Sequence, residues 1–160
     1  MQLEEDLNAV FPLKDASDSV VNWQKVAVAL AAIKPFCAIT GGPGTGKTTT
    51  VAKLLWILAK QQKEASFVVK LVAPTGKAAA RLTESLRNAA EKLPTIEGIS
   101  LPDECTTIHR LLGVRRFSSE FQHNETNPLR LDLLIVDEAS MIDLPLLSKL
   151  FAAIPELSLI

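Results

Sequence analysis

The stretch Ile39–Leu55, ITGGPGTGKTTTVAKLL, places a cluster of glycines ahead of one lysine and a run of threonines. Within it Gly41–Thr48, GGPGTGKT, satisfies the spacing of glycine, four residues, glycine, lysine, then serine or threonine. The apolar residues before it, Phe36–Thr40, read as a short buried strand of a parallel sheet, and the residues from Lys47 read as a helix with Val51, Leu54, Leu55 and Leu58 along one face. Strand, glycine turn and helix are the context that gives this spacing a mechanism. Gly41, Gly42, Pro43, Gly44, Thr45 and Gly46 let backbone N–H groups approach a polyphosphate, and the helix turns its positive dipole end toward the same anion. Lys47 can reach the outer phosphates, Thr48 can ligate Mg2+, and Thr49 follows on the same first turn. A glycine-rich connection without a ligand would not require lysine and threonine at those places. The expected ligands are ATP and Mg2+.

A second element lies about 90 residues further on: in LLIVDEAS, four apolar residues end in Asp137 and Glu138. This reads as a strand delivering two carboxylates to the ligand edge of the sheet. Asp137 would hold the metal and Glu138 would activate a water as general base. Adjacent acids favour hydrolysis over transfer to a small substrate.

The rest of the chain alternates strand and helix signals, which predicts an α/β fold. SVVNWQKVAVALAAI reads as a helix capped by Asn22 and stopped by Pro35, FVVKLVAP as a strand, and GKAAARLTESLRNAAEKL as a helix. TTIHRLLG reads as a short helix closed by Gly113, Arg115–Arg130 as a polar insertion or hairpin, DLPLLSKLFAAI as a helix and LSLI as the opening of a last strand. The 160 residues suit one ordinary domain, with residues 1–21 an acidic lead-in whose Leu3, Leu7, Val10 and Phe11 suggest a short packed helix. No apolar run reaches the ~18 residues of a membrane span, the acidic start does not resemble a signal peptide, and Cys37 and Cys105 read as reduced core thiols of a cytoplasmic protein. The net charge of −1 offers no global attraction to nucleic acid, so any such site must be local. One candidate is Thr75, Gly76 and Lys77, with Arg81 a turn later; another is Thr107 and His109, with Arg110 beside them. On spacing alone both remain open to the plainer reading of a solvated helix face.

Taken together, NWQKVAVAL, ITGGPGTGKTTT, VAPTGKAAARL, TIHRLLG and LLIVDEASMID resemble the helicase motifs of superfamily 1, and among them the RecD family, from about Asn22 to the end of the chain. The resemblance implies a RecA-like P-loop NTPase fold, a parallel sheet with helices on both faces, with residues 22–160 forming the first of two motor domains. It implies that Gln24 contacts adenine and that Thr75, Gly76, Lys77, Thr107 and His109 meet single-stranded DNA. It implies an ATP-dependent 5′ to 3′ DNA helicase, partnered by RecB and RecC in exodeoxyribonuclease V, which processes double-strand breaks. In such folds the strand after the acidic one is central, so LSLI would be a central strand cut short, and the γ-phosphate sensor and second motor domain would lie beyond it. Loss of an arginine finger costs roughly three to five orders of magnitude in turnover, so this piece is expected to bind nucleotide with little hydrolysis. The rival readings are a free-standing RecD-like helicase, the helicase part of a conjugative relaxase, and a phosphate-loop switch that controls assembly.

Overall fold

A computed structural model describes residues 2–12, 21–42, 44–61, 67–95, 104–116, 118 and 120–155. The chain divides into two compact units, Met1–Ala65 with Ser85–Leu101, and Ser66–Glu84 with Pro102–Ile160.

The first unit is built from helices α1 (Gln2–Val10), α2 (Trp23–Ile33) and α3 (Lys47–Gln61). α2 begins where expected, because the Asn22 side chain accepts the Lys25 N–H at 3.1 Å and supplies one of the partners a helix start lacks. α1 packs against both other helices, burying Leu7 and Val10 with Phe11 just beyond its end. It also buries a charge. Asp6 is 1% exposed and pairs with Lys60 of α3 at 2.6 Å, so the two helices are joined by an ion pair as well as by apolar contact. The lysine is partly exposed, which spares one ion the desolvation cost of a fully buried pair. α3 departs from a one-sided amphipathic helix: Leu54, Leu55, Trp56, Ile57 and Leu58 are all buried, and Val51 is only half-buried. The run LLWIL has no polar side to offer water, so that turn is enclosed, with the Trp56 indole N–H satisfied by the Pro94 carbonyl at 2.6 Å.

The second unit holds a parallel sheet of β1 (Val69–Ala73), β2 (Cys105–Thr107) and β3 (Leu133–Val136), in the order β2-β1-β3. Helix α4 (Gly76–Ala90) leaves the end of β1, α5 (Ile108–Leu112) follows β2 directly, and α6 (Leu144–Ala152) follows β3 after a short 3-10 turn at Ala139–Met141. In register, Leu71 pairs with Cys105 and Ile135, and Val72 with Thr106 and Val136. Period-two alternation then puts Val72 and Leu134 on one face of the sheet. There they join Ile108 and Leu112 of α5, Leu146 and Leu150 of α6, and Leu129, Leu131 and Ala153 in one apolar core. The other face buries Leu71, Ala73 and Leu133. At the start of the sheet Asp132 closes a clamp: its N–H donates to the Val68 carbonyl at 2.8 Å while its carboxylate accepts the Val68 N–H at 2.7 Å.

Two expectations differ from the structure. Phe36–Thr40 forms no ladder among the described residues, and Phe36 is 57% exposed. A strand exists only through its pairing, and the segment expected beside it, residues 157–160, lies outside the described residues, as do residues 13–20 of the lead-in. The cysteines are free, as expected, but half-buried rather than in the core. β2, unforeseen in the sequence, is a three-residue strand, CTT, too short and polar to give a periodic signal. No helix among the described residues is long and apolar enough to cross a membrane.

Leu134 is fully buried and Lys70, its register partner on β1, is exposed. Leu134→Ala should lower the unfolding free energy by ~2–5 kcal/mol, whereas Lys70→Ala should stay within ~0.5 kcal/mol of the parent. Urea unfolding of both variants distinguishes a core built on this register from one that is not.

Candidate functional site

In the first unit the glycine turn closes on itself. The Thr45 hydroxyl donates to the Gly42 carbonyl at 2.9 Å, and the Lys47 ammonium donates to the Gly41 and Gly42 carbonyls at 2.7 and 2.9 Å. Gly44 and Gly46 hold φ of +75° and +79°, where a side chain is strained, and a Cβ on Gly41 would meet the Thr45 hydroxyl at 2.7 Å. Beyond the turn α3 starts abruptly. Thr50 donates both its N–H and its hydroxyl to the Gly46 carbonyl, at 2.9 and 3.0 Å, which pins the first turn of the helix to the loop. The Thr48 and Thr49 N–H groups have no acceptor among the described residues. A helix start with free N–H groups beside a lysine ammonium fits a polyphosphate, whose oxygens can take both sets of donors. Thr48 is half-buried at this mouth, and its hydroxyl suits a cation held against such an anion.

Gln24 reaches the same loop from α2, its side-chain N–H donating to the Thr45 carbonyl at 2.9 Å. A Cβ on Gly46 would lie 2.5 Å from that amide nitrogen. The structure thus gives Gln24 a contact that the sequence does not reveal, a strap between helix and loop. The pinning of α3 by Thr50 is likewise missed, although the threonine run is its visible trace.

In the second unit the sheet gathers the remaining candidates. Because Ala73 pairs with Thr107 and Val72 with Val136 in parallel, Thr75–Lys77, Thr107–His109 and Asp137–Glu138 all leave the carboxyl ends of neighbouring strands. Asp137 is half-buried, its N–H donating to the Val72 carbonyl at 2.9 Å. Glu138 is exposed and left-handed, with φ 51° and ψ 39°, the one non-glycine residue of positive φ among the described residues. Such a conformation costs on the order of 1–3 kcal/mol, and here it turns the carboxylate out at the strand end. Thr75 and Thr107 both cap helices, accepting the N–H of Ala78 and Arg110 at 3.2 Å each, and each hydroxyl keeps a proton to donate. Gly76 and Lys77 are exposed beside them. His109 is exposed but leans on Phe121, ring centroids 5.7 Å apart and edge to face.

Two predictions follow from this geometry. The amide of Gln24 is flexible and can swing away, so the positive φ of Gly46 is the harder constraint on a side chain there. Gly46→Ala should weaken binding of a fluorescent ATP analogue at least tenfold, the equivalent of about 1.4 kcal/mol, and adding Gln24→Ala should not restore it. Burial, and then the Asp137 carboxylate, push the Cys105 thiol up to about 11. The fold holds the neutral thiol, so this contribution is complete below the ordinary value of 9.0 and lost as pH rises toward about 11. Asp137→Asn should therefore speed alkylation of Cys105 in mild alkali, measured by mass spectrometry; an unchanged rate would mean that the two groups do not interact.

The family described as an AAA domain matches residues 24–160. The chain is 48% identical over 166 residues to the RecBCD enzyme subunit RecD of Haemophilus influenzae, covering 99% of this chain and 25% of the relative. It is 46% identical over 136 residues to the RecBCD enzyme subunit RecD of Mycolicibacterium smegmatis, covering 82% of this chain and 24% of the relative. It is also 41% identical over 117 residues to the ATP-dependent RecD2 DNA helicase of Deinococcus radiodurans, covering 73% of this chain and 13% of the relative. The chain thus spans about a quarter of the length of these RecD relatives. A match that runs from Gln24 through the phosphate loop to the acidic strand end accounts for the α/β, RecA-like phosphate-loop fold, and the chain belongs to the AAA domain family.

Proposed function

We propose that the whole protein is the RecD-type motor of a double-strand-break repair complex, an ATP-dependent helicase that moves 5′ to 3′ on single-stranded DNA. In this reading residues 22–160 belong to its first motor domain, residues 1–21 lead into it, RecB and RecC are its partners, and it acts in the cytoplasm. The observation that carries the reading is the 48% identity to a RecD subunit across nearly the whole chain, joined to a helix start whose N–H groups, without acceptors among the described residues, and lysine suit a triphosphate. A free-standing helicase is the second reading, supported by the RecD2 relative.

The residues take these roles. Gly41–Thr49 wrap the phosphates, and Lys47 exchanges its two loop carbonyls for phosphate oxygens, neutralising charge that grows during transfer. Thr48 and Asp137 are the residues that would hold Mg2+, which would supply Lewis-acid polarisation of the terminal phosphate. Glu138, turned outward by its left-handed backbone, takes the proton of the attacking water. Gln24 reads adenine, and because it also straps Thr45 it reports base occupancy to the loop. Thr75, Gly76, Lys77, Thr107 and His109 donate to DNA phosphates at the sheet edge. Hydrolysis moves DNA only if the nucleotide and the DNA edge are linked, and the strand ends that carry Asp137, Thr75 and Thr107 are neighbours in one sheet.

The deciding experiment offers the full-length protein ATP, Mg2+ and duplexes with either a 5′ or a 3′ tail. Unwinding from the 5′ tail alone is expected. Lys47→Ala should cut DNA-stimulated hydrolysis by on the order of 100-fold, and Glu138→Gln by at least as much while leaving ATP binding intact. Nucleotide binding without DNA-stimulated hydrolysis would replace the motor by a nucleotide switch, and full activity without RecB and RecC would favour the free-standing helicase.

A further inference from the structure

The second unit carries a groove of about 660 Å³ at the β2 side of the sheet, apart from the residues assigned to nucleotide and DNA. Neither Thr75, Lys77, Thr107 nor His109 lines it, nor do Asp137 and Glu138. The separation has a simple origin: side chains alternate across a strand, so Thr106 faces this groove and its neighbour Thr107 does not. Lys70, Arg110 and Arg130 stand around the groove with exposed side chains, opposed by the single carboxylate of Glu104. None of the three cations makes an ion pair among the described residues. In a chain of net charge −1 this is a local excess of positive charge among the described residues, three cations against one carboxylate. Between the cations the wall is hydrocarbon, from Leu111 and Leu129. Behind it lies the Thr106 hydroxyl, the one buried side-chain polar atom without a hydrogen-bond partner among the described residues.

We propose that this groove binds an acidic peptide segment of a protein partner, its carboxylates meeting Lys70, Arg110 and Arg130 and an aliphatic side chain resting on the leucines between them. Paired arginines bind carboxylates through forked, charge-assisted hydrogen bonds. A single nucleic-acid strand would instead ask for aromatic platforms on which bases stack. Among the described residues no Phe or Trp lines the groove, and its one imidazole, His123, sits 3.3 Å from the Asn127 carbonyl oxygen. The proposal does not depend on the RecD reading.

The test is fluorescence anisotropy with the full-length protein and three probes: a labelled Glu-Glu-Leu-Glu-Glu-Leu peptide, the same peptide with Gln for Glu, and oligothymidylate. The acidic peptide should bind, the neutral one at least tenfold more weakly. Lys70→Glu with Arg130→Glu should reduce acidic-peptide binding at least tenfold, and the milder Lys70→Gln with Arg130→Gln should reduce it at least threefold. Oligothymidylate binding and DNA-stimulated ATP hydrolysis should stay unchanged in both. Acidic-peptide binding that is undetectable, or that the variants leave alone, overturns the proposal. So does loss of oligothymidylate binding in the variants, which would make the groove part of a DNA path. Failure of the motor reading would appear separately, as absent DNA-stimulated hydrolysis in the parent.

Discussion

The parallel register of β1 with its two neighbours is the constraint on which the second unit depends. Pairing Val72 with Thr106 and Val136 does two things at once. It sends Val72 and Leu134 into a common core with α5 and α6, and it brings three strand ends level, so that two threonine caps and two carboxylates emerge along one edge. A slip of one residue would exchange the faces of a strand and scatter those groups. The Asp132 clamp on Val68 holds the register at the opposite end, where a polar side chain costs the core nothing.

The glycine turn solves a different problem with similar economy. A loop that must present bare N–H groups to an anion is left with polar atoms of its own to satisfy. Here Lys47, Thr45 and Gln24 donate to the carbonyls of Gly41, Gly42 and Thr45, and Thr50 donates to that of Gly46. The N–H groups of Thr48 and Thr49 find no acceptor among the described residues. Lys47 holds the loop together and is also the group best placed to leave those carbonyls for a phosphate. Holding the loop and releasing it are therefore properties of one ammonium group.

The groove beside β2 belongs to the same logic of strand alternation. Thr106 and Thr107 are adjacent in sequence and serve opposite sides, one closed behind a basic groove and one capping α5 at the ligand edge. This three-residue strand thereby separates two surfaces of different chemistry.

What the sequence determined by itself was the phosphate loop, the acidic strand end and the alternation of strand and helix. These are local: dihedral needs of glycines, an apolar run of fixed length and a cap such as Asn22 are written in consecutive residues. Only the tertiary structure decided the rest. It drew β2 out of a polar CTT, enclosed LLWIL on all sides, sank Asp6 beside Lys60, and left Phe36–Thr40 without a ladder among the described residues. It also turned Glu138 left-handed and collected Lys70, Arg110 and Arg130, spread over 61 positions of the chain, around one groove. The physical reason is the same throughout: pairing, burial and charge proximity are relations between distant residues, and no window of sequence contains them.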